Sequence, residues 1–176
     1  MAKRVSSCPD WLQSDNIIDV YSVSSHVSED FAEFIDYWKH NGYWFFDSPE
    51  IIARLANENE IDIRNTHLFY YEVYEKEFEE IQSLWSEFEP EETFKTDVVI
   101  PVRKSLEGYD VVSFSMGNAA ECSPLSCNAL ARDLKLNEHC LIESLEYALQ
   151  LLESGIFMHT EPGPFRVIAV YSVEWP

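Results

Sequence analysis

Ser113-Phe114-Ser115-Met116-Gly117 is the stretch of this chain that comes nearest to a nucleophile motif. In the Gly-x-Ser-x-Gly elbow, two glycines permit the sharp strand-to-helix turn that exposes the serine hydroxyl. Here the first glycine is replaced by Ser113, while Asp133 and His159 follow Ser115 in the chain order of a triad. That elbow needs parallel strands with crossover helices before it, and the preceding segment reads instead as one arm of a hairpin. The plainer reading is a strand end entering a loop. Cys127 with His139 or His159 is the thiol counterpart, but Arg132 is the one neighbouring cation available to stabilise a thiolate. A small hydrolase using Ser115 or Cys127 is therefore one alternative function.

Cys122, Cys127, His139 and Cys140 are the residues that could be drawn around zinc. Paired zinc ligands favour two to four intervening residues, and neighbours such as His139 and Cys140 point about 100° apart on a helix. The spacing argues against a metal, and Cys127 and Cys140 serve equally well as small buried hydrophobes. His26, His40 and His67 lie apart and suggest no ligand set. With five glycines in the chain there is no loop to cradle a phosphate, so no cofactor is expected.

The densest chemical feature is acidic. Residues 72–92 hold nine Glu against one Lys, a charge of −8, interleaved with Tyr74, Phe78, Trp85 and Phe88. Clustered charge costs self-repulsion that a cationic partner relieves, and interface hot spots favour aromatic anchors. The predicted contact set is Glu72, Trp85, Glu87, Phe88, Glu89, Glu91 and Glu92, with the carboxylates steering a basic surface toward the two rings. The competing reading is a solvated face whose aromatics belong to the core.

The elements that must position these groups follow from spacing and caps. Residues 1–15 are polar and aperiodic and read as a loosely held arm, followed by a strand over 17–24. Ser28 caps a helix running to about His40, and Ser48-Pro49-Glu50 opens a second whose buried side is Ile51, Ile52 and Leu55. Residues 66–74 are aromatic and β-branched and read as a strand. Phe78, Ile81, Leu84, Trp85 and Phe88 fall on one helical face. Residues 93–103 alternate as a strand with Pro101 at a sheet edge, and Leu106-Glu107-Gly108 turns it into a hairpin partner over 109–115. Ser123-Pro124 opens a short helix carrying Leu125, Leu130 and Leu134. Asn137 caps a longer helix with Leu141, Leu145, Ala148, Leu149 and Leu152 on one stripe and Gly155 past its end. Pro162-Gly163-Pro164 leads into a closing strand over 165–174. The fold class is α+β, one domain over 16–176, with a largely antiparallel sheet packed by several amphipathic helices.

Composition sets the outer bounds. The chain has 176 residues, 32 acidic and 12 basic, for a net charge of −20. Its 46% hydrophobic and 14% aromatic content is too rich for a disordered acidic chain. Such a surface repels phosphate backbones and anionic lipid, so neither nucleic acid nor membrane is an expected partner. No apolar run reaches membrane-helix length and the start has no apolar signal core, which predicts a cytoplasmic protein with its four cysteines as thiols.

Three strings, Tyr109-Asp-Val-Val-Ser-Phe, Cys122-Ser-Pro-Leu-Ser-Cys-Asn-Ala-Leu-Ala and Glu161-Pro-Gly-Pro-Phe-Arg-Val-Ile-Ala-Val-Tyr, give the last 70 or so residues a likeness. They resemble a group of small bacterial proteins associated with the immunity proteins of polymorphic toxin systems. The resemblance implies a cytoplasmic, non-enzymatic protein that binds and blocks a cognate toxin, and the charge independently points to a basic protein partner. A structural or regulatory module, acidic for solubility alone, is the remaining alternative.

Overall fold

A thirteen-residue strand, His67–Glu79, organises the protein. The computed structural model describes residues 2–8, 10–12, 14–23, 29–38, 45–88, 98–115, 120–128 and 130–176. Its strands are β1 (Ala2–Lys3), β2 (Ser6–Ser7), β3 (Asp19–Val20), β4 (His67–Glu79), β5 (Leu84–Glu87), β6 (Lys104–Ser113) and β7 (Phe165–Val173). Its α-helices are α1 (Ile35–Trp38), α2 (Pro49–Glu58), α3 (Pro124–Cys127) and α4 (Leu145–Glu153). The main sheet runs β1-β4-β7-β6 with β5 also on β4, and every pairing is antiparallel. β2 and β3 form a separate two-stranded ribbon. This is an α+β arrangement, although among the described residues only α2 and α4 exceed a single turn and can carry an amphipathic face.

The core lies on both sides of β7. Phe165 and Val167 join Val111, Ile142, Ala148 and Phe157 on one side. On the other, Ile168 and Val170 pack with Phe69, Val112 and Leu141. A third cluster sets Ile52 and Leu55 of α2 on Ala2, Phe31 and Leu68. Where the chain reads most plainly, the structure agrees. Ser48 caps α2, its hydroxyl accepting from the Ile51 N–H, with Pro49 opening the helix. Gly155 follows α4 at φ +76°.

Five expectations are corrected. The first concerns the loosely held arm expected over residues 1–15, whose described residues are anchored at several points. Ala2 and Leu12 are fully buried, β1 pairs with Leu68 and His67, and β2 pairs with β3. Apolar burial and ladder hydrogen bonds hold this segment down.

The expected helix over 28–40 is reduced to a 3-10 turn, Glu29–Phe31, and the single turn of α1. Two hydrogen bonds run three residues back, from the Phe34 N–H to the Phe31 carbonyl and from the Tyr37 N–H to the Phe34 carbonyl, the 3-10 pattern that leads into the single α turn. Ser28 and His40 lie outside the described residues.

The helix expected over 78–88 is instead a hairpin. β4 continues to Glu79, the chain turns with Ser83 at φ +48°, and β5 returns. Phe78 sits directly opposite Trp85. Seven residues separate two turns of a helix, and the same seven separate opposed partners around this turn, so one spacing fits both.

Leu106-Glu107-Gly108 is likewise no turn. It lies inside β6 at an irregularity opposite Tyr171 and Val170 of β7, and among the described residues the partner of β6 is β7, not residues 98–103. A Cβ on Gly108 would stand 2.7 Å from Leu141 Cβ and 2.9 Å from the Ile142 carbonyl oxygen, which is why glycine is required there. Residues 98–103 form no strand, and 93–97 lie outside the described residues.

Asn137 caps a loop, not a helix. Its Oδ1 accepts from the His139 and Leu141 N–H groups, and Cys140 then adopts φ +62°, which no α-helix accommodates. The helix starts later, capped by Ser144, and buries Ala148, Leu151 and Leu152 while Leu145 and Leu149 are only partly covered.

Candidate functional site

The β4–β5 hairpin turns its rings inward. Trp85 packs on Phe78 at 4.9 Å and edge-on to Tyr74 at 6.0 Å, and its indole N–H donates to Glu153 at 2.9 Å. Phe88 lies 3.7 Å from the guanidinium carbon of Arg166, a fully buried side chain that also donates to the Tyr74 carbonyl. The two rings proposed as partner anchors thus serve the core and its edge. Glu87 stands exposed at the register position of Lys76. Glu89, Glu91 and Glu92 lie outside the described residues. Glu72 accepts from Lys104 Nζ and, at 2.9 Å, from the Tyr171 hydroxyl, while Lys104 Nζ sits 4.7 and 4.2 Å from the Tyr70 and Tyr171 ring centres. Burial works to raise the Glu72 carboxyl, and the hydrogen bonds from Lys104 and Tyr171 outweigh it and hold it below its usual value.

Next to this cluster is a cleft of about 1050 Å³ between α2, the first half of β4, residues 98–103 and the end of β7. Phe45, Phe46, Tyr70 and Trp175 contribute aromatic wall, and Val99, Ile100 and Val102 stand 78%, 61% and 101% exposed at its side. The carboxylates of Asp47, Glu50, Glu72 and Glu174 line it, with Arg103. Arg103 reaches Glu174 at 3.6 Å. Pro101 has no N–H to offer a neighbouring strand, so this apolar run stays outside the sheet.

Comparison with protein-family models, with curated proteins and with solved structures finds no match to this chain.

The catalytic alternatives are not assembled. Ser115 donates to Glu121, and among the described residues no hydrogen bond joins it to Asp133 or His159. Met116 and Gly117 lie outside the described residues. Cys122 and Cys127 form a disulfide, which corrects the expectation of four thiols and leaves Cys127 no free sulfur for nucleophilic attack. Cys140 is fully buried, and burial, with the charge of Asp110, pushes its thiol up to about 12. His139 stacks on Tyr21 at 4.1 Å and meets Asp19 at 2.6 Å, with Glu138 and Glu107 farther off at 3.6 and 3.7 Å. Among the described residues no group of His, Cys, Asp and Glu is arranged to hold a metal ion, and no helix is long and apolar enough to cross a membrane. His67 lies exposed beside Tyr21 and Phe69, and His26 and His40 lie outside the described residues.

Two features escaped the sequence reading. One is the cleft, for which three consecutive apolar residues at 98–100 were the available clue, because a half-buried strand alternates. The other is a buried polar cluster around Asp110. Its carboxylate accepts from the Val23 N–H at 2.5 Å and the Ser123 hydroxyl at 2.6 Å. Lys3 Nζ donates to the Ser22 carbonyl at 2.5 Å, and the Ser22 and Ser126 hydroxyls meet at 2.7 Å. An aspartate between Tyr109 and Val111 was its trace in the sequence.

Proposed function

We propose that this protein acts by binding a cationic partner protein, in the manner of an immunity protein that covers the basic active site of a toxin domain. The observation that carries the reading is the hairpin: its rings turn inward, its Glu75 and Glu87 stand exposed, and Lys76 is the single basic residue in residues 72–92. Uncompensated charge on a folded strand pair is self-repelling, and a cationic surface relieves it while gaining association rate and specificity. With the rings committed to the core, the hairpin contributes charge to the contact and the apolar part of the interface lies elsewhere.

The test is co-expression with the product of the gene adjacent to its own. The parent chain should relieve that product's toxicity. Changing Glu87, Glu89, Glu91 and Glu92 to Lys takes the net charge from −20 to −12 and should abolish relief. Reversing Asp10, Asp15, Glu33 and Glu60 gives the same net charge and should preserve it. Equal loss from both sets would reduce the effect to overall charge, and no relief by the parent would overturn the reading.

A further inference from the structure

We infer that the cleft beside α2 receives an extended segment of the partner in which apolar side chains alternate with arginine or lysine. This rests on the partner-binding reading above and adds where, and by what chemistry, the partner is held. Val99, Ile100 and Val102 stand adjacent and more than half exposed, and contiguous exposed apolar surface on a soluble protein marks an interaction site. Residues 98–102 would span about 16 Å at the rise of a strand, the reach of a short extended segment laid along them.

The charge of the lining selects the occupant. Asp47, Glu50, Glu72 and Glu174 face the cleft with Arg103, and Lys104 lies against Glu72, so carboxylates outnumber cations two to one. A cleft with low-dielectric walls focuses the field of the whole chain, and here that field arises from a net charge of −20. An anionic occupant is opposed and a cationic one is drawn in. In an extended segment successive side chains point to opposite sides, so apolar residues meet Val99, Ile100 and the aromatic wall while basic ones reach the rim.

The test is calorimetric titration of the full chain with three synthetic peptides, alternating Arg-Val, Arg-Ser and Glu-Val repeats of equal length. The Arg-Val peptide should bind one site per chain at least roughly tenfold more tightly than either control. Val99→Ser, Ile100→Ser and Val102→Ser together, neutral in charge and confined to exposed positions, should erase that advantage. A measurement on the parent alone checks the location: the Arg-Val peptide should shift the indole N–H resonance of Trp175, in the cleft, and leave that of Trp85, in the hairpin, unmoved. Equal binding of both arginine peptides, indifferent to the serine changes, overturns the cleft and leaves the cationic-partner reading standing. No binding by either arginine peptide overturns both. Equal or tighter binding of the Glu-Val peptide overturns the charge of the occupant. A dimer in sedimentation that the serine changes dissociate makes a second copy the occupant and overturns the proposal.

Discussion

Ser123 donates its hydroxyl hydrogen to Oδ1 of Asp110 across 2.6 Å, in a site where neither side chain reaches solvent. Burial, the largest influence, pushes the Asp110 carboxyl up from 3.8 to about 7, against the hydrogen bonds from Ser123 and Val23 and the charge of Lys3. Burial also lowers the Lys3 amine from 10.5 to about 8, opposed by Asp110. A desolvated acid and a desolvated base are thus set where each shifts the other's balance.

The pH dependence has a definite sign. Folding raises the Asp110 pKa, so its stabilisation is complete below pH 3.8 and is lost as pH rises through about 7. Folding depresses the Lys3 pKa, so its stabilisation is present above 10.5 and is lost as pH falls through about 8. In urea melts at a series of pH values, the parent's advantage over Asp110→Asn should shrink as pH rises toward 7. A constant difference would show that Asp110 does not titrate in that window.

Alkylation of the denatured, unreduced chain should label Cys8 and Cys140 only, and all four cysteines after reduction. Cys122→Ser with Cys127→Ser should cost about 2 kcal/mol, the chain-entropy value for a loop this short. Mass spectrometry and denaturant melts read the two outcomes.

Leu152→Ala removes a fully buried side chain of α4 and should cost about 2–5 kcal/mol. Leu145→Ala, at the first residue of the same helix and only partly covered, should cost about 1 kcal/mol. Reversal of that order would mean that α4 turns Leu145, and not Leu152, into the core.

Phe88→Ala takes away the ring over the Arg166 guanidinium and should cost about 2 kcal/mol, the upper range for a desolvated cation–aromatic contact. Thermal melts of the variant check it, and Phe88→Leu, which restores apolar cover without the ring's charge distribution, should recover part of the loss.

Legibility in the sequence followed locality. The Ser48 cap, the strand at residues 66–74 and the closing strand were readable because cap and alternation are local statements, and each held. The hairpin at residues 78–87 was not, because its opposed Phe78 and Trp85 mimic two helical turns and only long-range pairing of β4 with β7 decides between them. Gly108 looked like a turn because glycine permits one; the need for it comes from Leu141 and Ile142, more than thirty residues away. In the candidate site the acidity of residues 72–92 was visible, whereas the inward commitment of Trp85 and Phe88 depends on Glu153 and Arg166, which no local pattern ties to them.

The Cys122–Cys127 bridge closes a small ring of backbone around α3, and that ring carries both hydroxyls that grip the amino-terminal segment, Ser123 through Asp110 to Val23 and Ser126 directly to Ser22. It works as a clasp. Cys127 stands at the surface while the gripping atoms lie beneath, so the bridge bears on how firmly the described part of residues 2–23 is fastened to a sheet that it meets through the two residue pairs of β1 with β4 and the Val23–Asp110 hydrogen bond. The first strand of the fold is held shut from a point more than a hundred residues along the chain.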